Sequence, residues 1–162
     1  MAKIYKIEDF QAWVKARELN SLVQAMVLEN SFRQFPNLKF QMQKTSRSVM
    51  SNLAEGFSRT SNAEFLNFIS IALGSLSELK SDLYGSNDQK LISDSKLQIL
   101  IGLVNEIGKL SNGMIRYLKS SPLKGSKFNK NINSQKPKPK PKPKPKPGTG
   151  TGTENHEPGT KN

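Results

Sequence analysis

Cysteine is absent from this chain, and histidine occurs once, at His156. Without cysteine there are no disulfides and no thiolate chemistry; a reducing compartment is permitted, not required. His156 lies in a C-terminal stretch with almost no apolar residues, so the part that can fold has no histidine base. A protein-ligated zinc or iron site is not expected, and neither is a cofactor. Long hydrophobic runs are missing too. The longest apolar-rich stretch, residues 97–104, is far too short to span a bilayer and runs into Glu106. The opening MAKIYKIEDFQAW lacks the apolar run of a secretory signal. The expectation is a soluble, cytoplasmic protein with no membrane partner.

Only 35% of the 162 residues are apolar and mean hydropathy is −0.58, low values for a globular chain until it is divided. Residues 1–118 carry fourteen Lys/Arg against eleven Asp/Glu, a net +3, whereas 119–162 carry eleven Lys against two Glu, a net +9. The high charge therefore belongs mostly to a tail. The expected organisation is a bundle over 1–119, a basic linker over 120–135, and a disordered tail over 136–162. The tail opens with six Lys-Pro repeats at 136–147 and continues GTGTGT. Alternating proline favours extended polyproline II and forms no core.

Apolar spacing in the first part is helical throughout. Ala12, Ala16, Leu19, Val23 and Met26 recur at three and four residues, widened by Trp13 and Leu22, and predict a helix over residues 10–28 with Asp9 as its cap. Pro36 closes the connection that follows. Leu38, Met42, Thr45, Val49 and Leu53 predict a second helix over residues 38–54, with a polar row of Gln41, Lys44, Ser48, Ser51 and Glu55. A third helix runs from Phe65 through Phe68, Ile69, Ala72, Leu76, Leu79 and Leu83 to Gly85. Mid-helix Gly74 costs ~1 kcal/mol against alanine, which predicts close approach of a neighbouring helix there. The fourth helix, residues 94–118, has two apolar rows. Leu97, Ile101, Val104, Ile115 and Leu118 suffice to face a bundle. The second row, Leu100, Leu103, Ile107, Leu110 and Met114, predicts an oligomer interface, with a fully enclosed helix as the alternative. The fold class is all-α: an antiparallel up-down four-helix bundle with a disordered basic C-terminal tail.

Residues 48–78 organise the rest. They hold the end of the second helix, a polar corner and the start of the third. Gly56 is expected in the left-handed position past the second helix. Ser61 and Glu64 form a capping box, and Asn52 satisfies backbone groups at the helix end. Glu55, Glu64 and Glu78 are the only carboxylates placed for acid–base work. Capping and pairing with Arg17, Arg59 or Lys44 account for them better, since no nucleophile, metal site or phosphate-cradling glycine loop accompanies them. No catalytic residue is assigned.

Arg33, Lys39, Lys44, Arg47 and Arg59 fall within 27 positions that contain one acid, Glu55. Repeated around an oligomer, that excess becomes a ring of positive potential for phosphate; a solvated surface explains the same count. The tail reads as an electrostatic tether, a solubilising spacer or a repeat expansion. It has no aromatic residue on which a base could stack.

Further residues carry a resemblance. They are Phe10, Trp13 and Ala16-Arg17-Glu18-Leu19; Phe35-Pro36; Gln41, Ser48, Asn52-Leu53-Ala54-Glu55-Gly56-Phe57 and Arg59; Glu64-Phe65; Ala72-Leu73-Gly74-Ser75-Leu76-Ser77-Glu78-Leu79; and Tyr117-Leu118-Lys119-Ser120-Ser121 with Lys124-Gly125. In this order, across about residues 6–128, the chain resembles the four-helix-bundle proteins encoded in 23S rRNA intervening sequences. More distantly, that family includes the accessory variability determinant of diversity-generating retroelements. Two positions depart from its pattern: Gln43-Lys44 stands where an arginine pair is usual, and Met50 where a proline often precedes Ser-Asn. The Lys-Pro tail is not part of that pattern. The resemblance implies a homopentamer, RNA or DNA as partner, no known catalysis and, in the retroelement members, work beside a reverse transcriptase and its RNA template. The expected function is therefore a non-enzymatic nucleic-acid-binding accessory, with an oligomeric protein–protein scaffold as the alternative.

Overall fold

A computed structural model describes residues 4–120. Four helices follow one another: α1 (Gln11–Met26), α2 (Pro36–Ser58), α3 (Asn62–Asp88) and α4 (Asp94–Ser120), with 3-10 turns at Ile7–Asp9 and Asn30–Phe32. No strand occurs among the described residues. The expected linker and Lys-Pro tail lie outside them, apart from Ser120, which is the last residue of α4.

Cross-helix contacts fix the topology. On the α1–α2 seam Gln24 reaches Gln43 and Asn20 reaches Ser46. On the α2–α3 seam Gln41 reaches Glu78 and Ser48 reaches Ser75. Between α3 and α4 Lys80 reaches Asn105 and Leu76 lies against Gly108, while Lys15 with Glu106, and Glu29 just past α1 with Lys96, tie α1 to α4. In every seam one number rises as the other falls. The four helices form an antiparallel up-down bundle.

The buried row of α1 is Ala12, Ala16, Leu19, Val23 and Met26, as the spacing predicts. Its N-cap is Phe10 rather than Asp9. The Asp9 carboxylate instead accepts the N–H groups of Tyr5 and Lys6, at 3.1 and 3.2 Å, and so closes the preceding 3-10 turn. Helix α2 begins on Pro36, where a missing N–H costs nothing, and runs past its expected end to Ser58.

That extension changes the role of Gly56. It is not in a left-handed conformation past the helix; it is buried inside the last turn of α2. A Cβ there would stand 2.7 Å from both Phe65 Cδ2 and Phe68 Cβ. Glycine is required because α3 crosses there against bare backbone. Beside it, Phe10, Phe57 and Phe65 form an aromatic cluster with centroids 5.8 to 6.4 Å apart, which closes this end of the bundle.

Ser61 is the N-cap of α3, with extended backbone, but makes no side-chain cap hydrogen bond. The expected box with Glu64 does not form; Glu64 is exposed in the first turn, where its charge complements the helix dipole. The helix does not stop at Gly85. It ends three residues later in a Schellman motif with Lys90 in the left-handed region at φ 60°. There Leu91 N–H donates to Ser86 O at 2.9 Å and Lys90 N–H to Asn87 O at 2.8 Å. Gly74 has no helix against it: a Cβ would meet nothing within 4 Å. The close approach occurs beside it, through buried Ala72 and the 2.9 Å contact of Ser75 with Ser48.

Both apolar rows of α4 are enclosed within the protomer. Leu100, Leu103, Ile107 and Met114 are buried, and Leu110 packs half-buried against the same core. The expected oligomer interface along this row is therefore corrected. A helix touching both α1 and α3 needs two apolar rows for its own bundle.

Candidate nucleic-acid interface

Helix α2 has a narrow apolar stripe, Met42, Val49 and Leu53, flanked by polar seams. Toward α1, Gln24 donates to Gln43 O at 3.2 Å, and Ser46 donates to Asn20 Oδ1 at 3.1 Å. Toward α3, Gln41 donates to Glu78 and the Ser48 and Ser75 hydroxyls lie 2.9 Å apart, while within α2 Asn52 Nδ2 donates to Ser48 O at 2.8 Å and Ser48 Oγ at 3.1 Å. Asn52 thus serves its own preceding turn and not the helix end. Buried Thr45 is satisfied by Gln41 O at 2.8 Å. These bonds hold the backbone of α2 firmly while leaving its outer face free.

On that outer face a shallow cleft is lined by Gln24 from α1 and by Phe40, Gln43, Lys44, Arg47, Ser48, Ser51 and Asn52. None of the lining residues is acidic. Phe40, Lys44, Arg47 and Ser51 stand at intervals of four, three and four residues, which aligns them along one side of the helix. Phe40 is 67% exposed, and Lys44 and Arg47 are exposed beside it. Neither cation has an ion-pair partner among the described residues.

The other expected basic residues are placed differently. Arg33 is exposed just after the turn Asn30–Phe32, and Lys39 is half-buried in the first turn of α2; neither lines the cleft. Arg59, at the far end of α2, is held by Glu55 and lies 5.0 Å from the centre of the Phe68 ring. The structure thus gathers Lys44 and Arg47, keeps Arg33 and Lys39 toward the same end, and commits Arg59 to the corner. Phe40 and Gln43 are additions. The signal for Phe40 is an aromatic residue four positions before Lys44 on a row otherwise polar.

The carboxylates are likewise placed for structure. Glu55 is paired with Arg59 and Glu78 accepts from Gln41, while Arg17 lies over Trp13 at 5.9 Å. Asp82, one turn beyond Glu78, has a buried Oδ2 with no hydrogen-bond partner among the described residues. Its pKa is raised, first by burial and then by the Glu78 charge. A carboxyl held above its ordinary value contributes stability below the carboxylate range and loses it as pH rises through the raised value. Asp82→Asn is therefore expected to raise the urea midpoint at neutral pH, with the gap to the parent closing under acid. A lower midpoint at neutral pH would show that the charge is needed.

Among the described residues no group of three or more His, Cys, Asp or Glu is placed to hold a metal ion, and no helix is long and apolar enough to cross a membrane. Fold and cleft together define a small antiparallel helical bundle with a fixed, polar-floored cationic face. The chain belongs to the family of 23S rRNA-intervening sequence proteins, whose model matches residues 8–113. Its fold is similar to the crystal structure of a protein with unknown function from the S23 ribosomal protein family of Bacteroides thetaiotaomicron. The TM-score is 0.60 at 19% identity, over 65% of this chain and 98% of that one. No curated protein matches the chain.

Proposed function

We propose that this chain is a non-enzymatic, homo-oligomeric nucleic-acid-binding accessory protein whose bundle contributes the cationic cleft of α2. The observation that carries this reading is the pairing state of its charges. Among the described residues, Arg59 alone of the five basic residues from Arg33 to Arg59 is neutralised by a carboxylate, and Lys44 and Arg47 have no ion-pair partner beside a lining without acids. Unpaired, aligned cations on a rigid helix attract a phosphate backbone by releasing its counterions. The pentamer implied by the family resemblance would repeat the cleft around an axis, and a reverse transcriptase with its RNA template is the partner that resemblance favours.

The test is binding of a structured RNA, and of duplex DNA, by residues 1–120 and by the full chain across a salt series. The bundle alone should bind, with log affinity falling by about 0.9 for each phosphate neutralised per decade of salt. Binding by the full chain only would assign the affinity to the Lys-Pro tail. A scaffold role has its own support in exposed Ile71, Tyr84 and Ile99 on α3 and α4; it would be favoured if the bundle assembled and bound no nucleic acid.

A further inference from the structure

Two cations account for phosphate affinity and leave Phe40 unexplained. A 67% exposed phenyl ring on the outer face of a helix gains nothing from the core and costs solvation. It stands one helical turn from Lys44 and two from Arg47, in the same cleft. It makes no ring contact with another aromatic and lies under no cation among the described residues. The side chains of Gln43 and Ser51 in the same lining also lack hydrogen-bond partners there, unlike Gln24 and Asn52. The cleft thus offers a flat apolar face, two unspent polar groups and two point charges, in that close order along one helix.

We propose that the cleft takes a single-stranded nucleic-acid segment, with a base stacked on Phe40 and the adjoining phosphates on Lys44 and Arg47. This rests on the reading of the cleft as a nucleic-acid face and narrows it. A duplex has its base faces already stacked and offers Phe40 none of them, so its phosphates engage Lys44 and Arg47 and leave the ring unused. An unpaired base has a free face, and stacking tolerates any base. Gln43 and Ser51 are then the groups positioned to meet base edges. The Lys-Pro tail has no aromatic residue and cannot make this distinction.

The experiment uses the full chain, so that the tail is a constant background. Anisotropy is measured with a short oligothymidylate, the same strand carrying abasic sites, and a duplex of equal length. Phe40→Ala is expected to weaken the oligothymidylate by about tenfold and to leave the abasic strand and the duplex unchanged. Phe40→Trp should retain binding, and its fluorescence should be quenched by the oligothymidylate but not by the abasic strand, measured against parent protein carrying only Trp13. If Phe40→Ala changes nothing while Lys44→Ala with Arg47→Ala weakens all three ligands, the phosphate reading stands and the single-strand proposal fails. If neither substitution matters, both fail. If Phe40→Ala alters the sedimentation coefficient and not base-dependent binding, the ring is a contact between copies, and the proposal is overturned.

Discussion

Gly56→Ala should lower the melting temperature of the bundle, and Gly74→Ala should raise it. The substitution is the same, both sites lie within helices, and both gain roughly 1 kcal/mol of helix propensity when glycine is replaced. What differs is the neighbour. At Gly56 the new methyl would stand 2.7 Å from Phe68 Cβ, an atom fixed to backbone, and from the edge of Phe65. Overpacking of this kind typically costs about 1–3 kcal/mol. It outweighs the propensity gain, and Gly56→Leu should cost more still. Each net kcal/mol moves the midpoint of a domain this size by roughly 4 °C. At Gly74 nothing lies within 4 Å, so the propensity gain stands alone. Thermal unfolding followed by circular dichroism reads both. A rise for Gly56→Ala would mean that α3 can move off α2 at no cost, which the aromatic cluster beside it argues against.

Replacing Lys44 and Arg47 together by glutamate should abolish most of the nucleic-acid affinity of residues 1–120 without unfolding them. Both side chains are exposed and neither is used by an ion pair among the described residues, so the fold loses nothing that the structure shows. Each charge-assisted hydrogen bond is worth about 1.5–3 kcal/mol, and two lost contacts therefore correspond to roughly a 100-fold weakening or more. The salt slope should flatten by about one for each phosphate released. Arg59→Glu is the control. It breaks the contact with Glu55 and the stack on Phe68, so it should cost stability more than affinity. Equal binding by the parent and the double variant would move the interface away from α2.

The helices were legible because their buried rows are nearly pure: the five recurring residues of the α1 row are buried, though Trp13, expected to widen it, is half-buried and Leu22 exposed, and in α3 all are buried but half-buried Phe68. Termini were less so, because glycine has more than one use. Gly56 looks like a helix stop and is a point of close approach; Gly85 looks like one too, yet the left-handed turn falls on Lys90. Asp9, Asn52, Ser61 and Glu64 show the same limit for polar residues, which can cap, bond locally or face water with identical spacing. The two apolar rows of α4 could not be assigned by counting, because whether a second row meets a sister helix or another copy depends on tertiary contacts. The basic cluster was visible as a charge excess. Which of its members are free was not, since neutralisation of Arg59 is a matter of three-dimensional pairing.

The antiparallel arrangement has a metric consequence. Gln24 meets Gln43 while Lys15 meets Glu106, so α2 starts at the end of the bundle opposite the one where α4 finishes. Phe40 and the close of α2 are about 27 Å apart at 1.5 Å per residue, and Ser120 lies toward that far end. The cations of the cleft and exposed Lys119, beside Ser120, therefore stand toward opposite ends of the bundle. A duplex rising about 3.4 Å per base pair spans about 27 Å in roughly eight of them. On the proposed reading, a shorter duplex would meet one end of the bundle only, whereas a longer one that also met Lys119 would be held at two points, and the length of the bundle would set where bivalency begins.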